Sequence, residues 1–136
     1  MHTTSATVLA GLIAWTLFLL LLMEGLRIRY LLNGIVTADA LRPDNSNLPP
    51  FMQRLSRAHA NCIETFPIVG GVLILALLTG RADVTDGLAP WLLGFRVLQS
   101  GIHLASTNVL AANLRFLAFV VQMAITIYWL WALIGS

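Results

Sequence analysis

The sequence predicts an all-α, integral-membrane four-helix bundle, and three observations predict it. Hydrophobic residues make up 58% of the 136 residues and charged residues only 10%, well below the roughly one-quarter charged content of a soluble domain. Four segments approach or reach the roughly 20 apolar residues that cross a bilayer. The few charges gather at the roots of those segments and in the connections between them. The length fits one domain, 1–136. The net charge of +2 rests on eight arginines and no lysine. That is too few charges, too close to apolar segments, for a nucleic-acid surface. The single Cys62 excludes an internal disulfide and a zinc cluster built from several cysteines, and no metal site is expected.

Helix one is expected at about residues 6–33. Residues 6–23 are apolar apart from two threonines, and no basic start marks a cleaved signal. Glu24, Arg27 and Arg29 sit at its far end. Residues 37–50 concentrate turn formers and charges and read as an exposed connection. Helix two is expected over 51–78, after Pro49-Pro50. Gly80 to Pro90 reads as a short loop, with Pro90 suited to the first turn of helix three. Helix three is expected over 88–111, Asn113 as a tight reversal, and helix four over 114–134, with Tyr128, Trp129 and Trp131 as interfacial aromatics. The glycines Gly70-Gly71, Gly94 and Gly101 read as close-packing positions. Arg27, Arg29, Arg42, Arg54, Arg57 and Arg115 flank one side of the membrane and only Arg81 the other. The positive-inside bias therefore puts the first connection in the cytoplasm and both termini outside it.

The chemistry lies at the root of helix two. At about 100° per residue, Arg54, Arg57, Asn61 and Glu64 fall within roughly 80° of one helical face. A charged stripe there is costly unless paired or wet. On helix three, Arg96, Gln99, His103 and Ser106 share a second narrow face. At about 1.5 Å per residue, Glu64 and Arg96 reach one level of the membrane, while Arg57, His103 and Arg115 reach another, nearer the cytoplasm. Glu64 and Arg96 are thus expected to form a structural ion pair. Arg54, Arg57, Asn61, His103 and Arg115 are expected to form a cationic pocket suited to a small anion with several carboxylates, and one that favours a thiolate over a thiol. Plainer roles stand beside these. Arg54 suits an interfacial anchor, Asn61 an interhelical hydrogen bond, and Glu24 with Arg27 a local bridge. His59 points away from the stripe, and Cys62 reads as inert core.

Arg54-x-x-Arg57-Ala58-His59-x-Asn61-x-x-Glu64 followed by Pro67 resembles the helix-two motif of the MAPEG family, membrane-associated proteins in eicosanoid and glutathione metabolism. Arg27-Ile28-Arg29, Arg96 with a polar residue seven on, and Arg115 opening helix four extend the likeness over nearly the whole chain. The resemblance implies a bacterial-type member, a homotrimer of four-helix subunits in the bacterial inner membrane, surrounded by lipids. It implies glutathione bound between neighbouring subunits near the cytoplasmic face, with Arg27, Arg57, Asn61, Glu64 and Arg115 at the site, and the cationic pocket read above adds Arg54 and His103 as candidate binding residues. Arg115 is implied as the catalytic group that holds the thiolate, with a small apolar electrophile arriving from the lipid. The chain departs from the family pattern at Ala60, Gln99, His103, Phe116 and Phe119. The expected activity is a glutathione-dependent transferase or peroxidase. The alternative is a non-catalytic structural or accessory membrane subunit.

Overall fold

The computed structural model describes residues 3–135. Five α-helices and one 3-10 turn make up its regular structure, with no strand among the described residues. Helix α1 is Thr4–Leu32, the 3-10 turn Ala38–Ala40, α2 Pro50–Leu78, α3 Ala82–Asp86, α4 Ala89–Ala105 and α5 Val109–Ile134. Three of them, α1, α2 and α5, are long and apolar enough to cross a membrane. Helix α4, at 17 residues, extends only about 26 Å.

Local chemistry fixes the helix ends. The Thr3 hydroxyl oxygen accepts the Ala6 N–H at 3.0 Å and starts α1. Gly34 at φ 71° and Gly80 at φ 70° end α1 and α2 in the left-handed conformation that costs glycine nothing. Behind each, a six-residue loop closes, from the Ile35 N–H to the Tyr30 carbonyl at 3.1 Å and from the Arg81 N–H to the Ala76 carbonyl at 2.8 Å. Pro50 and Pro90 lie in the first turns of α2 and α4.

Two boundaries differ from expectation. The loop expected over 80–90 contains the short α3, and α4 stops at Ala105 rather than near 111. The reversal therefore falls at 106–108, not at Asn113. Asn108 starts α5, its Oδ1 accepting the Ala111 N–H at 2.8 Å, while Asn113 lies exposed on the first turns of that helix.

Helix α1 packs on α2 and α4, α2 on α4, and α4 on α5. At one end Asp86 Oδ1 accepts the Ser5 N–H at 2.8 Å and the Ser5 hydroxyl at 2.6 Å. Arg81 donates to the Leu133 carbonyl at the same end, so the two ends of the described chain lie together. The core has two apolar clusters. Val8, Leu12, Val69, Leu73, Leu92 and Trp129 belong to the cluster near the chain ends. Leu19, Met23, Leu48, Met52, Leu55 and Cys62 belong to the other. A waist of polar side chains, Asn61, Thr65, Arg96, Gln99, Ser100 and Gln122, lies between them, and all but Asn61 are buried. Of the glycines read as packing positions, Gly70 lies under the Phe66 ring, whereas Gly71, Gly94 and Gly101 face open space.

Candidate functional site

Arg115, in the second turn of α5, donates to His103 Nδ1 at 2.8 Å. A guanidinium has no acceptor, so Nδ1 accepts and the His103 proton sits on Nε2. Arg115 Nε is buried without a partner. Arg115 is the arginine in direct contact with the His103 ring. Arg54 donates to the Leu104 carbonyl at 2.9 Å, at the C-terminal end of α4, where a cation meets the negative end of the helix dipole. Its guanidinium also lies 5.8 Å from the Phe51 ring centroid. Arg57 is exposed. It makes no hydrogen bond or ion pair within the described residues.

The α2 stripe does not act as one face. Asn61 turns inward and accepts a short hydrogen bond from Arg96, whose other amino group donates to Thr65 Oγ1 at 2.8 Å. The expected Glu64–Arg96 ion pair is therefore replaced by hydrogen bonds from Arg96 to two neutral acceptors. Asn61 and Thr65 bracket Glu64 in sequence, so the depth estimate put Arg96 at the right level. The helical phase decided otherwise: α4 packs on the side of α2 that carries Asn61, Cys62 and Thr65, and Glu64 lies exposed beyond it. The only ion pair among the described residues is Glu24–Arg27, at 2.7 Å. Arg54, Arg57, Arg96 and Arg115 are thus cations without a carboxylate partner.

Arg27 does not join this cluster. It donates to Glu24 at 2.7 Å, to Asn45 Oδ1 at 2.8 Å and to the carbonyls of Arg42 and Pro43 at 3.3 and 3.0 Å. Those bonds use four of the five N–H groups of a guanidinium to hold the first connection against α1. Arg27 and Glu64 line a separate groove between α1 and α2, with Glu24, Ser56 and His59.

Sequence reading passed over Thr65, Ser100, Trp15 and Gln122. Trp15 donates to Ser100 Oγ at 3.0 Å, and Cys62 Sγ lies 3.5 Å from the same hydroxyl. Gln122 donates to Gln99 Oε1 at 2.8 Å. The signal for Gln122 was present: it is the one side-chain amide in a long uncharged apolar run, where a polar group is costly unless it has a purpose. Thr65 and Ser100 carry no such signal, because small hydroxyls are common in membrane helices.

The model of the MAPEG family matches residues 5–135. The chain belongs to the MAPEG family. No curated protein and no solved structure matches it. Family membership and three helices long and apolar enough to cross a bilayer together make this an integral membrane protein. The MAPEG match covers all five helices, so the arginine cluster lies wholly within the family's shared region.

Proposed function

We propose that this MAPEG protein is a glutathione-dependent membrane enzyme of the transferase or peroxidase type. The observation that carries the reading is the partly buried Arg115, which bonds His103 and has no carboxylate partner among the described residues. Uncompensated cations in a low-dielectric site call for an anion, and glutathione offers two carboxylates and an ionisable thiol. Arg57, exposed and without a hydrogen bond in the chain, takes a carboxylate. Arg54, already turned toward the end of α4, assists. Arg115 holds the thiolate against the proton of the bulk, and His103 keeps the Arg115 side chain in place. An apolar electrophile then enters from the lipid beside Phe116, which is 68% exposed. On a chloronitrobenzene the sulfur bonds to the ring carbon and chloride leaves. On a lipid hydroperoxide it takes the outer oxygen as the O–O bond breaks to give the alcohol, and a second glutathione then converts the sulfenic acid to disulfide and water.

The assembly proposed is a homotrimer in the bacterial inner membrane, with both termini outside the cytoplasm and four crossings per subunit. The fourth crossing is α3 and α4 together, 82–105, since α4 alone is short. Glutathione lies between subunits, where Glu64 of one copy completes a site that the single chain leaves open.

A second reading, an accessory subunit without catalysis, draws support from Asn61 and Arg27. Both were expected to contact glutathione, and both are committed to bonds within the chain.

The test uses the full-length protein in lipid nanodiscs. Calorimetry is expected to show saturable glutathione binding, weakened about ten- to a hundred-fold by Arg57→Ala, since a charge-assisted hydrogen bond is worth about 1.5–3 kcal/mol. Turnover of a chloronitrobenzene or a lipid hydroperoxide is expected, and Arg115→Ala abolishes it. Binding without turnover across several electrophiles selects the accessory reading. Absence of both binding and turnover overturns the proposal.

A further inference from the structure

We propose that His103 is a protonation-sensitive positioning residue. Neutral, it holds Arg115 through Nδ1; protonated, it releases Arg115 and unmakes the anion site. The switch itself belongs to the corner between α4 and α5, and only its consequence for a thiolate rests on the function proposed above.

The contact has one direction. Arg115 Nη1 lies 2.8 Å from His103 Nδ1, and a guanidinium has donors but no acceptor. The bond therefore lasts only while Nδ1 keeps its lone pair. An imidazolium donates from both nitrogens, so a proton on Nδ1 takes the place of the one that Arg115 supplies and sets two cations face to face. His103 is also the only partner of the Arg115 side chain among the described residues. Arg115 Nε is buried without one, and the only ion pair joins Glu24 to Arg27.

No neighbour offsets a charge on the ring. Besides Arg115, the charged groups that reach His103 are Arg96 on its own helix and Arg57 on α2. Arg54, also on α2, is held on the adjacent Leu104 carbonyl, where it already meets the negative end of α4. All four are cations, and none is bonded to a carboxylate. Glu64 lies exposed on the other side of α2. Helix α1 also packs on α4, but its Glu24 and Arg27 are bonded to each other. His103 stands on the last turn of α4 and Arg115 on the second turn of α5, so the bond that breaks is one that closes the corner at 106–108.

The same geometry rules out a second role. With Nδ1 filled by Arg115 and the ring proton on Nε2, neutral His103 has no free lone pair. It cannot take the thiol proton and hold Arg115 at once. The thiol proton therefore leaves to solvent, and His103 acts through Arg115 alone. Asparagine separates the two roles. Its Oδ1 is bonded to Cγ as Nδ1 is in histidine, so His103→Asn offers an acceptor at nearly the same place, with no proton to gain.

Nitrogen NMR on the full-length protein in bilayers, without glutathione, tests the switch. At neutral pH His103 is expected to show one protonated and one bare ring nitrogen, the bare one being Nδ1. As pH falls, the His103 ring and Arg115 guanidinium signals are expected to move together, with one midpoint. In His103→Asn the Arg115 movement is expected to vanish. Calorimetry tests the consequence. Glutathione affinity is expected to fall through the same midpoint. His103→Leu is expected to weaken it about tenfold at neutral pH, as the loss of one hydrogen bond to a charged group does. His103→Asn is expected to recover most of that loss and to show no step with pH. Arg115 signals that stay still while His103 titrates overturn the proposal. So do a proton on Nδ1 at neutral pH and a His103→Asn protein that binds as weakly as His103→Leu. No glutathione binding at any pH, with the two NMR midpoints coincident, overturns the glutathione reading and supports the switch.

Discussion

Asn45 is a small residue with several tasks. It is fully buried in the first connection and adopts φ 57°, a conformation in which asparagine is among the few tolerated residues besides glycine. Its Nδ2 donates to the Met52 carbonyl at 2.7 Å, near the start of α2, and its Oδ1 receives Arg27. One side chain thus ties the end of α1, the connection and the start of α2. Asn45→Ala loses both hydrogen bonds, each worth about 1 kcal/mol, and takes on about 1–2 kcal/mol of left-handed strain. A destabilisation of about 3–4 kcal/mol is expected by denaturant titration. Asn45→Gly removes the bonds without the strain and is expected to cost about 1 kcal/mol less. Equal losses in the two variants refute the strain argument. Nothing in the sequence singles Asn45 out, because it stands among Asp44, Ser46 and Asn47 in a run where every residue is a turn former. Arg27 illustrates the complementary difficulty. Its position matched a family pattern, but its donors are used by carbonyls of a loop whose path sequence alone does not give.

At the scale of elements, apolar runs and proline or glycine punctuation made α1, α2 and α5 legible, since a membrane helix must satisfy its own backbone. The level of each polar group also followed from rise per residue. The phase of α2 against α4 did not, because four polar residues within 80° can turn toward a neighbour or away from it at small cost in angle. The result is a stripe divided between Asn61 inside and Arg57 and Glu64 outside. The end of α4 was hidden for another reason. Residues 106–111 are compatible with helix, and only the Asn108 side chain, by capping α5, decides where the break falls. The first connection makes its own prediction about acid. The Ser46 N–H at 3.0 Å, helped by the Ser46 hydroxyl, holds the Asp44 carboxyl below the usual carboxylate range. A group whose folded pKa is depressed contributes stability above its unfolded value, and that contribution is lost as pH falls through the folded one. The protection of the Ser46 N–H, corrected for intrinsic exchange, is therefore expected to fall below about pH 4. In Asp44→Asn that pH dependence is expected to disappear, and its persistence there assigns the effect to another group.

For the whole molecule, the outer face of α2 is where the proposed trimer would bring copies together. Arg57, Ala60, Glu64, Ile68 and Gly71 are all exposed along it. Glu64 lies half-way along a helix long and apolar enough to cross a membrane, where an ionised carboxylate facing lipid is costly. The proposed trimer removes that cost by setting α2 of one copy against its neighbour. Native mass measurement in nanodiscs is expected to give three chains of 14.9 kDa each, and Glu64→Lys is expected to shift the population toward single chains. A protein that stays monomeric at all lipid ratios contradicts this arrangement. The polar waist has a further consequence for the single chain. Lipid tails solvate the two apolar clusters nearly as well as protein does, so leucine against leucine does little to stop one helix sliding past another. The bonds from Arg96 to Asn61 and Thr65, and from Gln122 to Gln99, have no substitute in hydrocarbon. They work as the teeth of a key, fixing the vertical alignment of a helix too short to be positioned by its own length.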